Sequence, residues 1–335
     1  MPAHTFLDPA ILFFGLGVLA GTCRSNLEIP PAISRFLSLY LLMALGLKGG
    51  FALAHSGLTA TVAAGLLAAV VLAVGVPLIG FAWLRRIVGP YDAAALAATY
   101  GSVSAVTFVT AVQVLESRGI AFGGHMAAAM ALMESPAIIL AVLMATLLRR
   151  REAAARTPGG EAVLAGQGPR AAVSIGQVLH EAMTDGAQLL LLGAMAIGLL
   201  SGDAGQAAMQ PFSGDLFKGM LAFFLLDMGL ATARSFADLR GKSPLLLAYA
   251  LCGPLAHAAI AAALAWVLQL PAGDGTLLMV LAASASYIAV PAVLRYAIPE
   301  ARPSVYLALS LGVTFPFNIV LGIPLYVGVA GALLP

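Results

Sequence analysis

Two hydroxyl-rich interruptions lie inside apolar segments of this chain, and they stand at matching places in its two halves. The first is Gly101-Ser102-Val103-Ser104-Ala105-Val106, followed about thirty residues later by Glu134-Ser135-Pro136-Ala137-Ile138-Ile139-Leu140. The second is Ala283-Ser284-Ala285-Ser286-Tyr287-Ile288, followed at a similar distance by Phe315-Pro316-Phe317-Asn318-Ile319-Val320-Leu321. Ser286 follows Ser104 by 182 residues, and Pro316 follows Pro136 by 180. Such a duplication restricts the fold to an internal repeat. Interrupted hydrophobic segments in corresponding positions of two halves are a sequence mark of a secondary transporter's binding site.

The rest of the chain fits a membrane setting. It is 61% apolar and 10% charged, with a mean hydropathy of +0.98; soluble domains carry roughly 25% charged residues. Apolar runs at 9–22, 36–54, 60–83, 93–113, 124–148, 184–201, 216–233, 244–268, 275–297 and 304–333 give ten expected spans, against about 20 residues for a typical one. A polar linker, residues 149–176, divides a first five-helix repeat (1–148) from a second (177–335). Because five is odd, the second repeat starts on the opposite side of the membrane, which makes the repeat inverted. The run from Pro9 to Gly21 reads as a short first span rather than a cleaved leader, since no basic stretch precedes it.

Counting cations orients the chain. With the N-terminus outside, inside loops hold Arg24, Arg35, Arg85, Arg86, Arg149, Arg150, Arg151, Arg156, Arg170, Arg234, Arg240, Lys242, Arg295 and Arg302, which is 14 of the 17 Lys and Arg residues. Lys48, Arg118 and Lys218 fall outside. The expectation is both termini outside and a cytoplasmic linker, in a plasma or inner membrane. A net charge of +2 gives no hint of a nucleic-acid partner. Cys23 and Cys252 read as small buried hydrophobes without disulfide or metal spacing.

The fourth span gathers Ser102, Ser104, Thr107 and Thr110, and the ninth has Ser284 and Ser286 before Pro291. A helix broken at such serines exposes a half-helix N-terminus with free N–H groups and a positive dipole end. Two ends meeting at mid-depth bind a small anion without Arg or Lys, and no Arg or Lys lies mid-span here. Small and hydroxylated residues also pack closely between membrane helices; that accounts for a single serine more readily than for two matched clusters. Glu134 is an acid within an apolar run, a functional candidate by default. With Ser135 it offers oxygen ligands to Na⁺ or a site for a coupled proton, and Thr314 and Asn318 offer neutral oxygens in the second repeat. Asp227 and His257 read as structural. No Gly-x-Ser-x-Gly elbow, paired His/Cys metal spacing or P-loop is present, so the chain reads as no enzyme and needs no cofactor.

Phe6-Leu7-Asp8-Pro9-Ala10-Ile11-Leu12-Phe13-Phe14, Leu37-Ser38-Leu39-Tyr40-Leu41-Leu42, Gly46-Leu47-Lys48-Gly49-Gly50, Tyr100-Gly101-Ser102-Val103-Ser104-Ala105-Val106-Thr107-Phe108 and Glu134-Ser135-Pro136 together resemble the sodium-dependent bicarbonate transporter family of cyanobacteria. The resemblance runs over most of the chain outside the linker. It implies Na⁺-coupled bicarbonate uptake by an all-α, ten-helix inverted repeat assembled as a homotrimer. It implies an elevator motion of a core domain (spans 3–5 and 8–10) against a gate or scaffold (spans 1, 2, 6 and 7), and a small PII-like cytoplasmic regulator. On this reading the anion lies among Gly101, Ser102, Val103, Ser104, Ala105, Ser284, Ala285, Ser286 and Tyr287. Sodium is held by Ser102, Thr107, Thr110, Glu134, Ser135 and Asn318. A symporter of sulfate or a small carboxylate, and an anion channel, are the alternatives.

Overall fold

The computed structural model describes residues 8–57, 59–155 and 186–335. Its elements are all helical: α1 (Pro9–Thr22), α2 (Pro31–Ser56), α3 (Ala60–Leu84), α4 (Pro90–Gly101), α5 (Ala105–Ser117), α6 (His125–Ala155), α7 (Gly186–Gln210), α8 (Phe217–Ser235), α9 (Pro244–Val267), α10 (Ala272–Ala283), α11 (Ala289–Ala297), α12 (Pro303–Leu309) and α13 (Ile323–Leu333). Starts follow from local chemistry. Pro9, Pro31, Pro90, Pro244 and Pro303 open their helices, where a missing N–H costs nothing. Asp8 caps α1 by accepting from the Ala10 amide at 2.8 Å, and Thr59 caps α3 through Val62 at 3.3 Å.

Among the described residues, seven helical stretches are long and apolar enough to cross a membrane. Two further apolar helices, α1 and α10, are shorter. One of the seven, Gly186–Leu239, runs for 54 residues, roughly 80 Å of helix against a hydrocarbon core of about 30 Å. Gly202 turns it with φ 54° and ψ −143°, backbone open to glycine and strained for other residues. Helix α6 carries on to Ala155, so residues 149–155 belong to it rather than to the linker; residues 156–176 of that expected linker lie outside the described residues. The expected last span, 304–333, is not uniform either. Between α12 and α13 it widens into π turns, Ser310–Thr314 and Asn318–Gly322, on either side of Pro316. A mid-helix proline removes an N–H and crowds the preceding carbonyls, which favours such widening.

Two helix pairs cross with their backbones touching. A Cβ on Gly17 of α1 would stand 2.2 Å from the Leu226 carbonyl oxygen, and one on Gly229 of α8 2.3 Å from that of Phe14. Likewise a Cβ on Gly50 of α2 would stand 2.1 Å from the Met195 oxygen, and one on Gly198 of α7 2.6 Å from that of Leu47. Gly198 follows Gly17 by 181 residues and Gly229 follows Gly50 by 179. The remaining helices pack mainly on one another: α3 on α4 and α6, α9 on α10, and α10 on α5 and α13.

Helix ends gather on two faces. One holds the pairs Arg302–Asp92 and Arg149–Glu300, the Tyr91–Glu152 bond and the Lys242–Ser304 bond. The other holds Lys48–Glu116, His55–Asp203 and His125–Asp274, with Ala272 bonded to the C-terminal Pro335. Cys23 and Cys252 are exposed rather than buried. Cys252 shares its stretch of α9 with the exposed Leu251 and Leu255. In a membrane protein an apolar neighbourhood marks the lipid-facing surface as readily as the core.

Candidate functional site

Spans 4 and 9 are both broken at their serines. Helix α4 ends at Gly101 and α5 starts at Ala105; α10 ends at Ala283 and α11 starts at Ala289. Gly101 is required by packing, since a Cβ there would stand 2.6 Å from Pro77 of α3. Ser104 caps α5: its Oγ accepts from the Thr107 amide at 3.2 Å and from Thr107 Oγ1 at 3.0 Å. Ser286 does the equivalent for α11, accepting from the Val290 amide at 3.2 Å. The breaks also hold each other. The Ser104 amide donates to Ser284 Oγ at 2.9 Å, and the Ser286 amide donates to the Thr99 carbonyl at 2.8 Å.

Ser102, Ser104, Thr107, Ser284 and Ser286 are therefore brought together, each no more than 4% exposed. Val103 and Ala285 are buried with them. Tyr287 packs edge-on against Phe315, ring centroids 5.2 Å apart. Its hydroxyl faces Ser104 without completing a hydrogen bond, and Ser102 Oγ is likewise buried with no partner. Groups of this kind are rare, because each costs about 1–3 kcal/mol if nothing binds it. No hydrogen bond occupies the Ala105 and Val106 amides at the start of α5. The break thus offers free N–H groups, a positive helix end and unused hydroxyls in a dry setting, which suits a small oxyanion.

The expected sodium residues are distributed differently. Thr107, in the first turn of α5, bonds to the Ser104 hydroxyl, while Thr110 donates back to the Val106 carbonyl at 2.8 Å. Glu134 accepts from Gln188 of α7 at 2.9 Å. Ser135 follows it on α6, and its side chain lies outside the described residues. Asn318 donates to the Ala283 carbonyl at 2.8 Å and accepts from the Tyr326 hydroxyl at 3.0 Å. Its amide holds the end of α10 in place.

Two acids were missed by sequence reading. Asp92, in the first turn of α4, accepts from the Arg302 amide at 2.8 Å and from its guanidinium at 2.6 and 2.9 Å. Asp274, in the first turn of α10, accepts from the Gly123 amide at 2.5 Å and lies 3.8 Å from His125 Nε2. Each acid faces a positive helix end and ties a broken helix to the start of a helix in the other half of the chain. The available signal was their separation of 182 residues, the same as between Ser104 and Ser286.

On the face that carries Lys48 and Glu116, a cavity of about 800 Å³ opens between α2, α5, the start of α6 and the segment 206–218. It reaches Phe108, one turn beyond Ser104. Lys48 pairs with Glu116 at 2.9 Å and lies 4.1 Å over the Phe217 ring.

A family model described as the Na⁺-dependent bicarbonate transporter superfamily matches residues 9–331. The chain belongs to that superfamily, whose members are membrane transporters. No curated protein matches it.

Proposed function

We propose that this protein is a sodium-coupled bicarbonate symporter working by alternating access. The observation that carries the reading is the crossing of two broken helices, with the free amides of Ala105 and Val106 beside the partnerless Ser102 and Tyr287 hydroxyls. Dividing the 54-residue stretch at its turn and adding α1 and the second broken helix, α10 with α11, to the seven gives ten spans, as an inverted repeat requires. The matched glycine crossings, the matched acids and the matched serines support that repeat. Helices α1, α2, α7 and α8 then form a scaffold, stiffened by backbone contact, and the others form a core that carries the site past it as an elevator. The division of helix ends between two faces supports the alternation from which the cation count puts both termini outside and the linker in the cytoplasm.

Sodium and bicarbonate are cargo in this proposal. Na⁺ near the break raises anion affinity, and the anion raises Na⁺ affinity by the same factor. Homotrimeric assembly and a PII-like regulator on the cytoplasmic face extend it by family resemblance. Radiolabelled uptake into proteoliposomes tests the reading. Saturable bicarbonate uptake that needs a Na⁺ gradient is expected, and sulfate or a small carboxylate should not compete. Non-saturable flux indifferent to Na⁺ would mean a channel.

A further inference from the structure

The two breaks are built alike but spent differently, and the difference lies in the last carbonyl of each helix and the serine hydroxyl that follows it. The last four carbonyls of a helix have no partner within it. At the end of α10 two are occupied, and they include the last one. The Leu281 oxygen accepts from Ser284 Oγ at 2.9 Å, and the Ala283 oxygen accepts from Asn318 at 2.8 Å. At the end of α4, the Ala98 oxygen accepts from the Ser102 amide at 3.0 Å and the Thr99 oxygen from the Ser286 amide at 2.8 Å. No hydrogen bond reaches the Tyr100 and Gly101 carbonyls. Ser102, the next residue, is 1% exposed and its hydroxyl is the one without a partner; the equivalent hydroxyl of Ser284 is fully used.

We propose that the transported Na⁺ is bound at the end of α4, by the Tyr100 and Gly101 carbonyls and Ser102 Oγ, and that the end of α10 takes no cation. The inference rests on the symport reading and gives its cation one location. Unwound carbonyls and half-helix C-termini are ligands of the type Na⁺ takes in transporters, and the negative end of the α4 dipole favours a cation there. Three consecutive residues supply oxygens without any carboxylate, so the empty site carries no buried charge. The free amides of Ala105 and Val106 begin four residues after Gly101. Cation and anion then occupy opposite ends of one break, where each lowers the cost of burying the other. The hydroxyls of span 9 act as structural caps, and Asn318 serves the carbonyl end that is closed.

The test is ²²Na⁺ binding to the purified transporter with no bicarbonate or other transportable anion present. Ser102→Ala should raise the half-saturating Na⁺ concentration about tenfold, the effect of 1.4 kcal/mol. Ser102→Thr should restore it, while Ser284→Ala should stay within about twofold of the parent. Thermal unfolding in Na⁺ against choline gives a second readout: the upward shift seen with Na⁺ should vanish in Ser102→Ala. Should Ser102→Ala fold poorly, Ser102→Cys keeps the volume but offers sulfur, a poor ligand for a hard cation, and should show the same loss. Undiminished Na⁺ binding by these variants overturns the inference, as does an equal loss in Ser284→Ala. A parent that binds Na⁺ in this pattern but carries another anion refutes the bicarbonate reading and leaves the inference standing.

Discussion

The glycine crossings of α1 with α8 and of α2 with α7 make a controlled prediction. A Cβ at Gly17 would lie 2.2 Å from the Leu226 carbonyl oxygen. Comfortable separation from carbon begins at about 3.5 Å, so α1 and α8 would have to part by about 1 Å, and a gap of that size forfeits a quarter to a half of each contact's attraction. Overpacking of this kind costs about 1–3 kcal/mol. Gly15, two residues away, has nothing within 4 Å of the position a Cβ would take. Gly15→Ala should therefore be neutral or mildly stabilising, since alanine is the better helix former by about 0.5–1 kcal/mol. The second crossing supplies the same comparison, with Gly198→Ala costly and Gly193→Ala tolerated. Melting temperatures of the four variants in detergent, followed by size-exclusion chromatography, read the effect. If Gly17→Ala and Gly198→Ala melt with Gly15→Ala and Gly193→Ala, backbone contact does not hold these pairs.

Ser104→Leu should give a folded protein without transport, because its bulk fills the place proposed for the anion; uptake at the parental rate would exclude the crossing as the site. Ser286→Ala should be mild, about 0.5–1.5 kcal/mol for one cap bond, read as a small loss of melting temperature with transport retained. Asn318→Leu should cost about 1–3 kcal/mol for each of the two groups it strands, the Ala283 carbonyl and the Tyr326 hydroxyl; an unchanged melt would mean those bonds hold nothing. Asp92→Ala should cost about 1–2 kcal/mol, mostly through the Arg302 amide, since the guanidinium is 66% exposed and surface pairs contribute little. High salt should then leave most of the difference between parent and variant intact, and its disappearance in 1 M NaCl would assign the effect to the ion pair.

What the sequence made legible is whatever the chain writes locally. The breaks at Ser102–Ser104 and Ser284–Ile288 were readable because small hydroxylated residues interrupt an otherwise unbroken apolar run. The helix starts were readable from their prolines. What stayed hidden depends on partners distant in the chain. Asp92 looks like any acid at a helix start until Arg302 arrives from 210 residues away. Asn318 presented an amide at a depth suited to an ion, and nothing local reveals that both of its polar atoms are committed. Glu134 stood out as an acid within an apolar run, but its bond to Gln188 joins two helices separated by the whole linker. The Tyr100 and Gly101 carbonyls belong to the backbone, which sequence patterns describe least.

The reciprocal capping of the breaks has a consequence for the order in which the protein is made. Ser284 Oγ, which receives the Ser104 amide, lies 180 residues further along the chain. At a synthesis rate of about 5–20 residues per second, span 4 waits on the order of ten seconds or longer in the membrane with that amide unmet. Until then lipid is no substitute, because hydrocarbon offers no hydrogen bonds. The first half must therefore rest in a provisional form, with span 4 kept continuous or shielded by its insertion machinery. It reaches its broken shape only when its counterpart arrives. A nascent chain stalled before Ser284 should accordingly lack the Na⁺-dependent protection from proteolysis expected of the finished protein.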